Sequence, residues 1–278
     1  MTTTESTQPV ISEESLAVWN GRLTIRVKVA GAGPPLLYLH PAAGLAWDPF
    51  LTQMAEHYTV YAPEFPGTSV GNPYAIHAVD SLPDVVLIYE EVVRTLGLTA
   101  PVVVGQSFGG MLAAELAATF PTLPSALVLL DPIGLWREDM PVANWLTTPP
   151  DQLPALLFHN PANEAAQAML AMPDDPDEAA AATAGMVWSM GATGKFAWPI
   201  PDRGLRRRLH RIAVPVLVVW GREDSLIPVG YVDEWQAELP DSRAVVIDDC
   251  GHIPQVEQTG ETVAAVTEFL GQPRKVAP

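Results

Sequence analysis

At 278 residues, with 48% hydrophobic and 17% charged residues, the chain has the composition of a globular protein. It is long enough to bury a large core, as one big domain with an insertion or as two small domains. A net charge of -17 excludes the basic surface that a nucleic-acid partner needs, and the one cysteine, Cys250, excludes an internal disulfide and fits a reducing compartment.

Residues 1–13 are rich in Thr, Ser and Glu and read as a flexible tail without a signal peptide. The longest apolar run, Ile212 to Trp220, contains Pro215 and is too short to span a bilayer. The expectation is a soluble cytoplasmic protein with a small-molecule partner and no membrane partner, as a monomer or a homo-oligomer. Leu16 to Trp19 and Arg22 to Val29 flank Asn20-Gly21, a two-residue hairpin signal. Beyond Gly33-Pro34, the strands turn into unbroken apolar runs: Leu36 to Leu39, Val60 to Ala62, Val102 to Val104, Leu127 to Leu130 and Val216 to Trp220. Such runs suit a parallel sheet covered on both faces.

Helical segments separate these runs. They are Trp47 to Glu56, Asp84 to Leu96 stopped by Gly97, and Met111 to Thr119 ended by Phe120-Pro121. The alternation predicts an α/β, doubly wound sheet. It breaks between residues 132 and 211, a proline-punctuated stretch rich in Ala, Met and Trp, which reads as an inserted helical cap on a core made of residues 1–131 and 212–278. The pattern then resumes with a helix near Val229 to Leu239, a strand Ala244 to Ile247 and a last helix Thr259 to Leu270.

The chemistry begins at Val104-Gly105-Gln106-Ser107-Phe108-Gly109-Gly110, where an apolar run ends in a serine flanked by glycines. A serine that attacks must be lifted clear of the backbone on a tight strand-to-helix turn, and only small neighbours leave room for it. A serine hydroxyl is a weak nucleophile near neutral pH, so it needs a base beside it and a carboxylate to orient that base. His252, in a glycine loop after a late strand, suits the base, and Asp224, in a turn directly after the Val216 to Gly221 run, suits the acid. Asp131, at the end of another strand, is the competing carboxylate, and Glu223 a weaker rival. The two N–H groups of an oxyanion hole are expected from Phe108 and, because Pro41 has no N–H, from Ala42.

These motifs together resemble the α/β-hydrolase fold, over nearly the whole chain from Leu16 to Leu270. The residues that carry the resemblance are Leu39-His40-Pro41, Pro63-Glu64-Phe65-Pro66-Gly67 with Ser69, the elbow at Gly105 to Gly110, Trp220 to Asp224, and Cys250-Gly251-His252. The resemblance implies an eight-stranded, mostly parallel sheet with a helical cap, no cofactor and no metal. It also implies Ser107 as nucleophile, His252 as base and Asp224 as acid, with a serine hydrolase of the esterase or lactonase kind as the activity. Pro41 stands where relatives usually have glycine, and Gln106 where many have His. Carbon–carbon hydrolases of ring-fission products are the alternative, although they usually carry Asn before the nucleophile and Trp after the histidine, positions held here by Gln106 and Ile253. A ligand-binding protein that kept the fold without catalysis is the other alternative. For a medium-sized, largely apolar substrate, the expected pocket residues are His40, Gln106, Trp136, Phe158, Met186, Trp188, Trp198 and Ile253.

Overall fold

The computed structural model describes residues 9–70 and 72–272. Its eight strands are β1 Ser12–Val18, β2 Leu23–Ala30, β3 Pro35–Leu39, β4 Thr59–Pro63, β5 Val102–Gln106, β6 Ala126–Leu130, β7 Val216–Gly221 and β8 Ser242–Ile247. They form one sheet in the order β1-β2-β4-β3-β5-β6-β7-β8, antiparallel through β1, β2 and β4 and parallel from β4 across to β8. The helices are α1 Pro49–Met54, α2 Leu82–Thr95, α3 Phe108–Thr119, α4 Leu153–Leu157, α5 Glu164–Leu170, α6 Pro176–Ala197, α7 Tyr231–Glu238, α8 Pro254–Glu257 and α9 Thr259–Gly271.

The unbroken apolar runs follow from burial on both faces. Successive side chains point to opposite sides of a strand, so Leu37, Leu39, Val103, Leu127, Leu129, Val218 and Trp220 join one core while Leu36, Tyr38, Val102, Val104, Val128, Leu130, Leu217 and Val219 join the other. Each fully buried aliphatic chain contributes about 1.5–3 kcal/mol relative to exposure. These strands therefore cannot slip by one residue without exchanging two cores.

The hairpin signal at Asn20-Gly21 marks a real turn. Both residues have positive φ, 55° and 73°, and the Arg22 N–H donates to the Trp19 carbonyl at 3.2 Å. The tail is shorter than its composition suggests, because Ser12 and Glu13 already pair with Val29 and Lys28. β1 is an edge strand held by backbone hydrogen bonds, with largely exposed side chains, so it carries no apolar signature. Residues 1–8 of that tail lie outside the described residues. Helix starts also differ from their periodicity for local reasons: α1 begins at Pro49 because Asp48 caps it, and α2 begins at Leu82 because Ser81 and Asp84 form a reciprocal capping box. Among the described residues, no helix is long and apolar enough to cross a membrane.

Between β6 and β7 the chain makes its long excursion through α4, α5 and α6. The C-terminal part of α6 is buried at Ser189, Ala192, Thr193, Phe196 and Ala197, whereas its N-terminal turns are largely exposed. Close approach elsewhere is enforced by glycine. A Cβ on Gly109 would lie 1.9 Å from the Leu39 carbonyl oxygen, and one on Gly105 would lie 2.3 Å from the Gly109 carbonyl oxygen. Helix α3 can thus sit directly on the ends of β3 and β5 only while both positions lack a side chain.

Replacing Gly109 with Ala should force α3 away from β3. The expected cost is roughly 3 kcal/mol or more of stability, read as a lowered urea midpoint, with a control Gly260→Ala, where a Cβ would meet nothing within 4 Å, staying close to the parent.

Candidate active site

In a parallel sheet all strands end at the same edge, and ligands and catalytic groups gather outside those ends. Here β5 delivers Ser107, β6 delivers Asp131, β7 leads to Asp224 and β8 leads to His252. Ser107 occupies the turn between β5 and α3 with φ 52° and ψ -113°, a conformation uncommon for any residue with a side chain. Its N–H donates to the Leu130 carbonyl at 2.9 Å, and its carbonyl accepts from Met111 and Ile133. The strained turn is thereby bonded to the neighbouring strand, to the helix and to the chain beyond β6.

Ser107, His252 and Asp224 are brought together in one line of hydrogen bonds. His252 Nε2 lies 2.9 Å from Ser107 Oγ, and His252 Nδ1 lies 2.8 Å from Asp224 Oδ2. The other oxygen, Asp224 Oδ1, accepts the N–H groups of Leu226 and Ile227, each at 2.8 Å. A carboxylate so occupied can only accept from His252, which puts the ring proton on Nδ1 and leaves Nε2 to receive a proton from the serine.

Asp131 stands beside this line rather than in it. Its Oδ1 accepts the Gly221 N–H at 3.0 Å, and its Oδ2 is buried without a partner. Burial first, and the adjacent Asp224 second, hold its carboxyl well above the ordinary carboxylate range. Two carboxyl groups this close cannot both be ionised cheaply, so Asp131 is the one that keeps its proton. Asp131, Asp224 and His252 offer ligand atoms within 4.8 Å of one another. A cation there would have to displace the hydrogen bonds that Asp224 already makes with both oxygens, so the cluster is better suited to holding a proton than a metal.

The histidine loop is fixed atom by atom. The Cys250 N–H donates to Glu223 at 3.0 Å, the Gly251 N–H to Glu257 at 2.8 Å, the His252 N–H to the Leu157 carbonyl at 2.8 Å, and the His252 carbonyl accepts from Gln106 at 2.9 Å. Glu257 also takes the N–H groups of His159 and Asn160. The excursion between β6 and β7 is therefore bonded to the loop that carries the base. Glu223, weighed as a rival acid, serves as this tether. Neither glutamate was singled out for tethering by sequence, because a carboxylate that caps a distant loop has no local spacing signature.

Around the candidate oxyanion donors, Phe108 is the first residue of α3, where an N–H has no carbonyl one turn earlier. The loop holding Ala42 is braced from both sides. Thr193 on α6 donates to the Ala42 carbonyl at 3.2 Å, and the Pro41 carbonyl accepts from Gly44 N–H at 3.2 Å and from His40 Nδ1 at 2.7 Å.

Several expected pocket residues have other work. His40 is 2% exposed, with Nε2 accepting the Phe65 N–H at 2.9 Å, so its ring ties two loops together and does not face a substrate. Gln106 is fully buried and committed to the His252 carbonyl. Trp136 donates its ring N–H to Glu138, Phe158 and Ile253 pack in a small core with Ala166 and Val256, and Trp198 follows the end of α6. Of the eight, Met186 and Trp188 line a cavity of about 950 Å³ between residues 41–49, residues 67–70 with Pro73, and helices α5, α6 and α8. Sequence reasoning missed Asp48 and Gln255 in its wall. The Asp-Pro pair at 48 and 49 is visible as a helix start, but its exposure to a cavity is not.

With this geometry in hand, the sequence profile of the alpha/beta hydrolase family matches residues 31–266. The chain belongs to the alpha/beta hydrolase family. It is similar to a pimeloyl-(acyl-carrier protein) methyl ester esterase of Nitrosomonas europaea, with 26% identity over 83% of this chain and 93% of the relative. Among solved structures it resembles a 2-hydroxy-6-oxo-6-phenylhexa-2,4-dienoate hydrolase from Rhodococcus, with a TM-score of 0.72 and 23% identity over 95% of this chain and all of the other. A naproxen esterase from Bacillus subtilis matches with a TM-score of 0.68 and 17% identity over 94% of this chain and 92% of the other. At these identities the two structures speak for the fold, and the eight-stranded hydrolase sheet agrees with them. The chain is a hydrolase of this family.

The state of His40 has a consequence for acid stability. Burial lowers its pKa from 6.5 to about 4, so the folded protein keeps the ring neutral while the unfolded chain protonates it. This contribution is present above about pH 6.5 and is lost as pH falls toward about 4, reaching roughly 2–3 kcal/mol by about pH 4.5. Urea unfolding at pH 7 and pH 4.5 should show that His40→Gln, although less stable at pH 7, loses less between the two than the parent does.

Proposed function

We propose that this protein is a cofactor-independent serine hydrolase that cleaves an ester or related acyl bond through Ser107, His252 and Asp224. The observation that carries the reading is the continuous hydrogen-bonded line from Asp224 to His252 to Ser107, ending on a serine held at positive φ. As Ser107 Oγ bonds to the substrate carbonyl carbon, its proton passes to His252 Nε2. The resulting imidazolium is paired with Asp224, whose charge rests on the Leu226 and Ile227 N–H groups. The tetrahedral oxyanion is held by the backbone N–H groups of Phe108 and Ala42. Its collapse breaks the carbon–oxygen bond, and His252 returns the proton to the leaving alcohol. Water then repeats the attack on the acyl-enzyme, with the same histidine as base.

The segment 132–211 acts as a cap over this centre, on a core made of 1–131 and 212–278. Two features support a neutral ester over a substrate that carries a carboxylate. Among the described residues the cavity lining holds no Lys, Arg or His, and the chain carries a large net negative charge. The Nitrosomonas relative, named as a methyl ester esterase, agrees with ester cleavage. A ring-fission dienoate would have to enter without a cation to meet it.

A fluorophosphonate probe should label the protein at Ser107, and Ser107→Ala should remove both labelling and turnover of 4-nitrophenyl acetate while leaving the melting temperature close to the parent. Retention of most activity would overturn the mechanism. Asp224→Asn should lower kcat on the order of 10⁴-fold by permitting the wrong histidine tautomer. Asp131→Asn should stay within about tenfold, because an amide can accept from Gly221 as a protonated carboxyl does; the opposite ranking would move the acid to Asp131.

A further inference from the structure

The cavity lies against the loop that carries Ala42, and helix α6 touches both. The Gly44 N–H closes a turn onto the Pro41 carbonyl at 3.2 Å, and Pro41, Ala43 and Gly44 all belong to the cavity wall. Thr193 of α6 reaches the Ala42 carbonyl at 3.2 Å. One turn earlier on the same side of the helix stands Ser189, which is also part of that wall. Its Oγ lies 3.7 Å from the place that a Cβ on Gly44 would occupy. Gly44, at φ 111°, has no side chain to fill that space.

A hydroxyl inside a helix commonly turns back onto the carbonyl four residues earlier. The other two hydroxyl residues of α6 do so: Thr183 donates to the Ala179 carbonyl and Thr193 to the Ser189 carbonyl, each at 2.9 Å. Ser189 makes no such bond to Gly185, and among the described residues no other partner takes its place. The residue is only 5% exposed, so its hydroxyl has given up bulk water. Even so, Ser189 Oγ is not shut off from the surface in the way that Gln106 Oε1 and Gln255 Oε1 are. It is a donor and an acceptor, open to the cavity and unused. Other polar side chains of the wall are engaged, since Thr68 donates to the Phe65 carbonyl and Trp188 to the Pro73 carbonyl, both at 2.9 Å, and Asp48 accepts the Leu51 N–H. Ser69 is a second unengaged hydroxyl on the wall, less buried than Ser189.

We propose that Ser189 is a substrate-binding residue whose hydroxyl bonds an oxygen several bonds from the scissile carbonyl, so that the protein favours esters with an ether, keto or hydroxyl oxygen at that place in an otherwise apolar chain. The inference rests on the serine-hydrolase reading and names the substrate class for that site. The separation follows from the helix. Successive turns are about 5.4 Å apart; the turn of Thr193 meets Ala42, the expected oxyanion donor, and Ser189 stands one turn farther along, in the cavity wall. A chain that leaves the carbonyl and enters between Gly44 and α6 therefore passes Ser189 first, and then Met186, Gly185 and Ala182. An alkyl chain at that point leaves the hydroxyl buried without a partner, whereas an oxygen acceptor restores the bond that water supplied.

The test moves one oxygen along the chain. 4-Nitrophenyl alkanoates are compared with analogues in which an ether oxygen replaces one methylene at each position from the third to the ninth, on the parent and on Ser189→Ala. Acetates of the corresponding alcohols repeat the scan on the other side of the ester. The ratio of kcat/KM for the oxygen-bearing ester to that for its alkyl counterpart should be about fivefold or more higher in the parent than in Ser189→Ala, at one position or two neighbouring ones in one series. At the remaining positions the two proteins should give equal ratios. Dividing one ratio by the other cancels the effect of the oxygen on ester reactivity and any general effect of the substitution. Quotients near one at every position, or a preference that survives Ser189→Ala and is removed by Ser69→Ala, would overturn the proposal. Calorimetric titration of Ser107→Ala, with and without Ser189→Ala, by the methyl esters of the same acids reads the contact without turnover. A preference there that depends on Ser189, with no hydrolysis by the parent, would sink the hydrolase reading and keep the subsite, whereas hydrolysis with quotients near one would do the reverse.

Discussion

Four neighbouring parallel strands, β5 to β8, end at one edge of the sheet, and the spacing between strands, about 4.8 Å, dictates which side chains can meet there. Ser107 follows β5, and the turns after β7 and β8 reach back far enough to complete a hydrogen-bonded line through Asp224 and His252. β6 lies between the strand of the serine and the strand of the acid. The residue at its end must therefore enter the same buried space. In this chain that residue is Asp131, and the arrangement is tolerable because its carboxyl stays protonated while Asp224 carries the negative charge.

Holding that line in register is mainly the task of backbone groups. The serine turn is tied to β6, the histidine loop to Glu223, Glu257 and Gln106, and the Ala42 loop to His40 and Thr193. Two of these partners, Glu223 and Glu257, are carboxylates, and charge-assisted bonds to backbone N–H groups are roughly twice as strong as neutral ones. Because Glu257 and the Leu157 carbonyl connect the histidine loop to the segment between β6 and β7, displacement of that segment would be felt at the base itself.

Strand and helix order could be read from the chain because its causes are local or periodic. Apolar runs, the hairpin at Asn20-Gly21 and the glycines around Ser107 each have a meaning within a few residues. Pocket residues were harder for a physical reason. Large aromatics fill space, so Trp136, Phe158 and Trp198 pack or cap where they stand, while the cavity opens where α5 and α6 present Ala165, Ala168, Ala181, Ala182 and Gly185. A search for aromatic side chains finds walls; a search for small ones finds room. Ser12 and Glu13 escaped for a different reason, since an edge strand pairs through its backbone and has no need of apolar side chains.

By itself, then, the sequence determined the element order and the two-faced parallel sheet, and it singled out Ser107, His252 and Asp224 as groups that the fold would bring together, since each depends on residue type, period or a short spacing. Tertiary structure alone decided which carboxyl faces His252, what His40, Glu223 and Glu257 hold in place, and where Asp48, Tyr38 and Gln255 converge on a cavity. Those outcomes depend on atoms separated by tens to hundreds of residues, and on how much water folding leaves around each of them.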